Sequence, residues 1–296
     1  MPSTPLFDYN DCHYISVAYK NIRDFAQFLD GKNLMEKLWK EFAPFSDKQF
    51  LKEIKIILKP RFWEMYLGCS FLYNDFELEE PNSKGGPDLN VKYENIKVRV
   101  EAVTPHKGDG DDRLEKPPDM VVVQVSQSKI ILRIQNSIVE KKKNYSNWIN
   151  KNIINKTEPF ILAINGSELP FGRSKINPPL ILRAISQFGN QYFTFNKESF
   201  EIIDRGYHFE DSITKSSGSV IYKDIISNKE YNFISAFIYS CVDPLNRPEN
   251  MGDDYIFIHN PMAANRLPLG FLKLGREFYR KDDQIKINDY RIDKMN

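Results

Sequence analysis

The chain has 296 residues with 41 Lys+Arg against 40 Asp+Glu, a formal net charge of +1, and 41% hydrophobic and 27% charged residues. This composition excludes wholesale disorder, and the length allows one large domain or two of ordinary size. Balanced charge excludes a strongly basic nucleic-acid coat protein, so any contact with nucleic acid must come from a local patch.

Residues 1–49 read as a helical N-terminal segment. Within it, residues 21–29 and 33–42 place aromatic and aliphatic side chains three and four apart, and Ser46 followed by Gln49 resembles a helix-start box. The helical period continues through residues 50–72 except at Pro60, where one helix should end and another begin with Pro in its first turn. The second of these, over residues 61–72, turns Phe62, Trp63, Leu67 and Phe71 to a core, with Glu64 beside them.

The period then changes. Residues 76–80 alternate apolar and acidic, as a half-buried strand does, and residues 82–87 are turn chemistry. Residues 88–93 and 96–103 alternate again, predicting two strands joined by the short turn Glu94-Asn95. A polar loop over residues 104–119 leads to a long predicted helix over about 128–153, whose apolar side carries Ile131, Ile134, Ile138, Tyr145 and Trp148. Residues 159–164 read as a buried strand. Beyond Gly166 come strand-like runs at 191–195, 219–225, 233–241 and 255–259, with no linker that marks an independent domain. Residues 167–296 are expected to form a mixed, β-rich extension packed on the core.

Two of these elements carry the chemistry. Asp88 lies six residues before Glu94, and Glu101 six residues after Asn95. A hairpin turning at Glu94-Asn95 would make the two acids cross-strand neighbours a few ångströms apart. Like charges so close are unfavourable without a cation. Mg²⁺ takes one or two carboxylates plus water and substrate phosphate, and in that setting assists phosphodiester cleavage.

Arg61-Phe62-Trp63-Glu64-Met65-Tyr66 on a helix, Gly86-Pro87-Asp88 opening a strand and Val98-Arg99-Val100-Glu101-Ala102-Val103 on the next are followed by a helix and a strand. In this order the motifs resemble those of the PD-(D/E)xK nuclease superfamily, also called restriction-endonuclease-like. The resemblance covers residues 50–166. It implies an α/β restriction-endonuclease-like core of helix, three strands, helix and strand. It further implies Mg²⁺ or Mn²⁺ held by Asp88, Glu101 and the carbonyl of Ala102, with Glu64 acting through water or on a second metal. Val103 stands where the superfamily usually has a lysine. Members of the superfamily supply that group from the following helix, for which Lys141, Lys142 and Arg133 are candidates. Arg99, on the strand itself, is another; Lys141 is preferred.

The function expected is a Mg²⁺-dependent endonuclease, a hydrolase of phosphodiester bonds with DNA as its partner. The alternative is a catalytically degenerate nuclease-like module that binds protein or nucleic acid; a phosphate-cleaving activity on RNA or a nucleotide comes third. Each site residue also has a plainer reading. Asp88 would be a turn residue, Glu64 a helix-surface residue, Lys141 to Lys143 a solvated helix face, and Lys97, Arg99 and Glu101 a solvated stripe opposite Val98, Val100 and Ala102.

Other features carry less. Asp109-Gly110-Asp111-Asp112 lacks the ligand spacing of an EF-hand and reads as a mobile loop, with a place beside the cleft left open; His259-Asn260-Pro261 reads as a strand-ending turn. His13, His106, His208 and His259 show no metal-ligand spacing, and Cys12, Cys69 and Cys241 contain no CxxC pair, which disfavours a zinc knuckle or disulfide scaffold. Cys69 in its apolar run is expected as a buried free thiol. No Gly-x-Ser-x-Gly elbow or phosphate-binding Gly-Lys loop occurs. Residues 1–9 lack an apolar signal region and no stretch reaches the ~18 apolar residues of a membrane span. A cytoplasmic chain is expected, with non-classical export left open.

Overall fold

A computed structural model describes residues 4–8, 14–116, 118, 120–121, 124–282 and 284–291. Cys12 and His13, with parts of residues 1–9 and of the 104–119 loop, lie outside the described residues.

The N-terminal third is helical: α1 (Val17–Asp24), α2 (Leu29–Phe42), the single turn α3 (Phe50–Glu53) and α4 (Leu58–Leu72). Ser16 caps α1 by accepting the amide of Tyr19. Ser46 and Gln49 do not form the expected helix-start box. The Ser46 hydroxyl donates to the carbonyl of Ala43, and Asp47 accepts the amide of Gln49 at 2.7 Å. The carbonyl of Ala43, which opens a short 3₁₀ turn (Ala43–Phe45) and accepts the Ser46 amide, takes that hydroxyl as well. Pro60 falls in the first turn of α4, where its missing N–H would have had no intrahelical partner. Helix α4 is buried on nearly all sides because it lies between the sheet and α2, with the ring of Phe42 against Gly68.

One sheet of eight strands organises the chain. Its strands are β1 (Glu77–Glu79), β2 (Leu89–Tyr93), β3 (Ile96–Val103), β4 (Phe160–Asn165), β9 (Ala236–Ser240), β10 (Ile256–His259), β11 (Arg276–Lys281) and β12 (Gln284–Asp289), adjacent in that order. β1 to β3 form an antiparallel meander, and β3, β4 and β9 run parallel. The long helix α5 (Gln127–Asn150) makes the crossover from β3 to β4. Every residue of β4 is buried, as a parallel strand covered on both faces requires.

Helices α2 and α4 cover one face over a core that includes Trp63, Val98, Val100, Ile161, Ala163 and Ile238. Helix α5 and the short α6 (Leu180–Ile185) cover the other, over Ile131, Ile134, Ile138, Leu162, Ile164 and Phe237. The molecule is a mixed α/β fold of three layers. Residues 167–296 do more than pack on a finished core, because they supply β9 to β12 of the same sheet. They also carry two separate ribbons, β5–β6 (Phe188–Phe195 and Ile202–Phe209) and β7–β8 (Ser212–Thr214 and Val220–Tyr222). Among the described residues no helix is long and apolar enough to cross a membrane.

Candidate active site

The β2–β3 hairpin turns at Glu94, whose φ of 51° lies in the left-handed region, and its ladder pairs Tyr93 with Ile96 and Leu89 with Val100. One step further along this register sets Asp88 opposite Glu101. The link is closed by a hydrogen bond: Asp88 Oδ2 accepts the amide of Ala102 at 2.7 Å. Val98 and Val100 point into the α4-side core, so Glu101 faces the α5 layer. That layer is not solvent. Glu101 is 3% exposed, which removes the solvated-stripe reading.

From α5, Lys141 Nζ reaches Glu101 Oε1 at 2.6 Å. Lys141 lies three residues after Ile138 and four before Tyr145, both buried, so it shares the stripe of α5 that faces the sheet. The other candidate cations are engaged elsewhere. Lys142 pairs with Glu230, and Arg99 is drawn to Glu158 and Asn90. Arg133 donates to the carbonyl of Asp112 and packs over Gly108, where φ is 79° and no Cβ would fit. Lys143 is exposed.

Glu64 approaches from α4. It is buried, which removes the plainer helix-surface reading, and its Oε2 accepts from Arg61 at 2.6 Å. The Arg61 guanidinium also bonds Asp47 and Glu53, tying α3 and the loop before it to the site. Sequence reasoning missed Arg61 as a member of this cluster. Its spacing of three from Glu64 on one helix was the available signal.

Electrostatics follow from burial. Burial, then the neighbouring Asp88 charge, pushes Glu101 up to about 8 and raises Glu64 well above the usual carboxylate range. Burial raises Asp88 as well, opposed by Lys141 and by the Ala102 amide. Burial works to depress the Lys141 ammonium, but the Glu101 charge outweighs it and holds the group above the ordinary lysine value. A charged Lys141 with Asp88 and Glu101 sharing one proton satisfies all of these directions. Five carboxyls (Asp47, Glu53, Glu64, Asp88, Glu101) thus meet two cations, Arg61 and Lys141, an acid-rich cluster that a divalent cation would balance.

The donor set suits a hard cation. Glu101 Oε2 is buried and receives no hydrogen bond from an amide, hydroxyl or ammonium group, so the proton shared with Asp88 is what a cation would replace. Among the described residues no three His, Cys, Asp or Glu side chains are grouped to hold an ion by themselves. The facing pair Asp88 and Glu101 offers two carboxylates, which is what Mg²⁺ takes before completing its shell with water and substrate oxygen.

Two further sequence features stand apart from this pair. The Asp109–Asp112 stretch contains a 3₁₀ turn (Gly110–Asp112) tied down by Ser216, which donates its hydroxyl to Asp112 at 2.7 Å. His259 ends β10 and pairs with Glu277 at 2.8 Å. Its neighbour Ile258 is three strands from Glu101 along the row Glu101, Leu162, Phe237, Ile258, about 14 Å at ~4.8 Å per strand. No family model matches the chain, and neither a curated protein nor a solved structure matches it.

Proposed function

We propose that this chain is a metal-dependent nuclease that hydrolyses phosphodiester bonds in DNA, built on a restriction-endonuclease-like core of α4, β1, β2, β3, α5 and β4. The observation that carries the reading is the pair Asp88 and Glu101 facing across a hairpin, with Lys141 Nζ 2.6 Å from Glu101 Oε1. The missing lysine at Val103 is then replaced from the following helix.

In this reading Asp88, Glu101 and the carbonyl of Ala102 hold Mg²⁺ or Mn²⁺, and Glu64 binds through water. A divalent cation held there would polarise the phosphoryl oxygen and lower the pKa of the attacking water. Lys141 orients that water and offsets the charge that develops on the phosphoryl oxygens as the phosphorus–oxygen ester bond breaks. Arg61 favours the ionised form of Glu64 against burial and the Asp88 charge, and fixes the side chain through the 2.6 Å contact.

The test is cleavage of plasmid DNA by the purified chain with Mg²⁺ or Mn²⁺, beside single-stranded DNA and RNA. Asp88→Ala should abolish it; inactivity on every substrate with both metals would remove the proposal. A second reading, a degenerate module that binds without cutting, is favoured by Val103 and by the fact that Lys141 already neutralises Glu101. Calorimetric titration with Mn²⁺ separates the two. Uptake lost in Glu101→Gln supports the nuclease, and absent or unaltered uptake supports the module.

A further inference from the structure

The β5–β6 ribbon stands outside the main sheet and, among the described residues, pairs with no other strand. A two-stranded hairpin is marginal on its own, and open edges are templates for pairing with another chain. Its surface is apolar where water would be expected. Phe193, Phe195, Phe200, Ile202, Ile203 and Phe209 are between 45% and 78% exposed. Phe193 and Phe195 share one face, with ring centroids 6.5 Å apart, and Phe195 stands opposite Ile202 across the ladder. Ile203 is the extra residue of a bulge, since the register jumps from Thr194↔Asp204 to Phe195↔Ile202.

The occupant can be argued from charge and area. The ribbon and its turn carry Lys197 and Arg205 against Glu198, Glu201 and Asp204, a slight excess of acid. That balance disfavours a polyanion and suits a surface meeting its own copy, where each sign finds the other. Phenylalanine buries about 150–250 Å² when fully covered. Phe193 and Phe195 with Ile202 and Ile203 at the bulge therefore supply on the order of 400 Å² per copy, the small end of specific interfaces, so the pairing is concentration-dependent.

We propose that two copies of this chain associate ribbon against ribbon about a two-fold axis, burying Phe193, Phe195 and Ile203. This does not depend on the nuclease reading.

Light scattering and sedimentation of the full chain from about 1 to 100 µM provide the test. A species of twice 34.7 kDa is expected. Phe195→Glu and Ile203→Lys should each weaken association at least tenfold and give the 34.7 kDa species, with unchanged far-UV circular dichroism because both side chains are solvent-facing in the single chain. Phe193→Ser, which adds no charge, should act in the same direction. A single 34.7 kDa species at every concentration, a dimer that survives all three substitutions, or an open-ended series of larger species would overturn the proposal.

Discussion

At Lys141 the buried network concentrates its only α5-derived positive charge, and the consequence of removing it can be worked out. Lys141→Met keeps length and apolar volume but leaves Glu101 and Asp88 facing each other with Arg61 as the remaining cation. Uncompensated buried charge costs about 3–5 kcal/mol when a partner is removed. The metal-free protein will avoid that loss at low pH by keeping its carboxyls protonated. The variant should therefore match wild type near pH 5 and fall behind it as pH rises, measured by urea unfolding with chelator present. With metal the ion replaces the ammonium, so the stability deficit should shrink while DNA cleavage falls by roughly 10²–10³-fold, the usual worth of one positioned charge-stabilising donor. Equal destabilisation at every pH, with cleavage intact, would make Lys141 a packing residue. Lys142→Met, by contrast, breaks the surface pair with Glu230 and the cation–π contact with the Tyr231 ring, and should change stability by about 1 kcal/mol or less.

Helix α4 shows how tightly an element must be placed for such a site to exist. It is fixed from two sides: Trp63 Nε1 donates to the carbonyl of Ala163 at 3.0 Å on the sheet, and Gly68 touches the buried ring of Phe42 on α2. A Cβ at Gly68 would lie 2.4 Å from Phe42 Cε2, so Gly68→Ala must push α2 and α4 apart despite adding helix propensity. Overpacking of this kind costs about 1–3 kcal/mol. Chemical denaturation should show that loss, and a stabilised variant would mean that the α2–α4 contact is looser than described. At this scale much was legible in the sequence. Alternation on either side of Glu94-Asn95 specified both strands of the hairpin and the facing of Asp88 and Glu101, because a period of two leaves no freedom once the turn is placed. The helical pattern located α4 and α5, while the choice of Lys141 over Lys142 is settled only by the structure, which sets Lys141 between the buried Ile138 and Tyr145. Strands β11 and β12 were not legible. Arg276–Lys281 and Gln284–Asp289 lie at the sheet edge with half their residues wet, so burial imposes little contrast on them. Nor was the Arg61 cluster, whose Asp47 and Glu53 partners come from separate turns that only tertiary packing brings together.

Across the whole molecule the sheet leaves no seam between the segment bearing the carboxylates and the rest. Strand β4 has β3 on one side and β9, from the C-terminal half, on the other. Tyr255 donates to Ser70 Oγ on α4 at 3.1 Å, the Gly252 amide donates to Tyr66 at 3.2 Å, and Trp63 meets Tyr255 edge to face. The chain should accordingly unfold in one calorimetric transition, and the pH dependence of that transition combines two buried acids of opposite sign. Glu277, on β11, loses hydration on burial but accepts from His259, Asn288, Tyr290 and the Gly270 amide, which together hold it near 2, below its ordinary 4.5. A depressed carboxyl contributes stability that is complete above its unfolded value and lost as pH falls from about 4.5 towards 2. Glu101 does the reverse. Its folded value near 8 exceeds the unfolded 4.5, so between these limits the folded state binds more protons and stability declines as pH rises. Glu64 and Asp88 are shifted the same way and steepen the decline. In chelator, Tm should therefore peak near pH 5 and fall on both sides, the acid limb flattening in Glu277→Gln and the alkaline limb in Glu101→Gln. A divalent cation needs these carboxyls ionised, so saturating Mn²⁺ should release protons and move the maximum towards neutral pH. A Tm that climbs steadily from pH 5 to 8 in chelator would mean that Glu101 is ionised without a metal, and the physical case for a cation between the two strands would be lost.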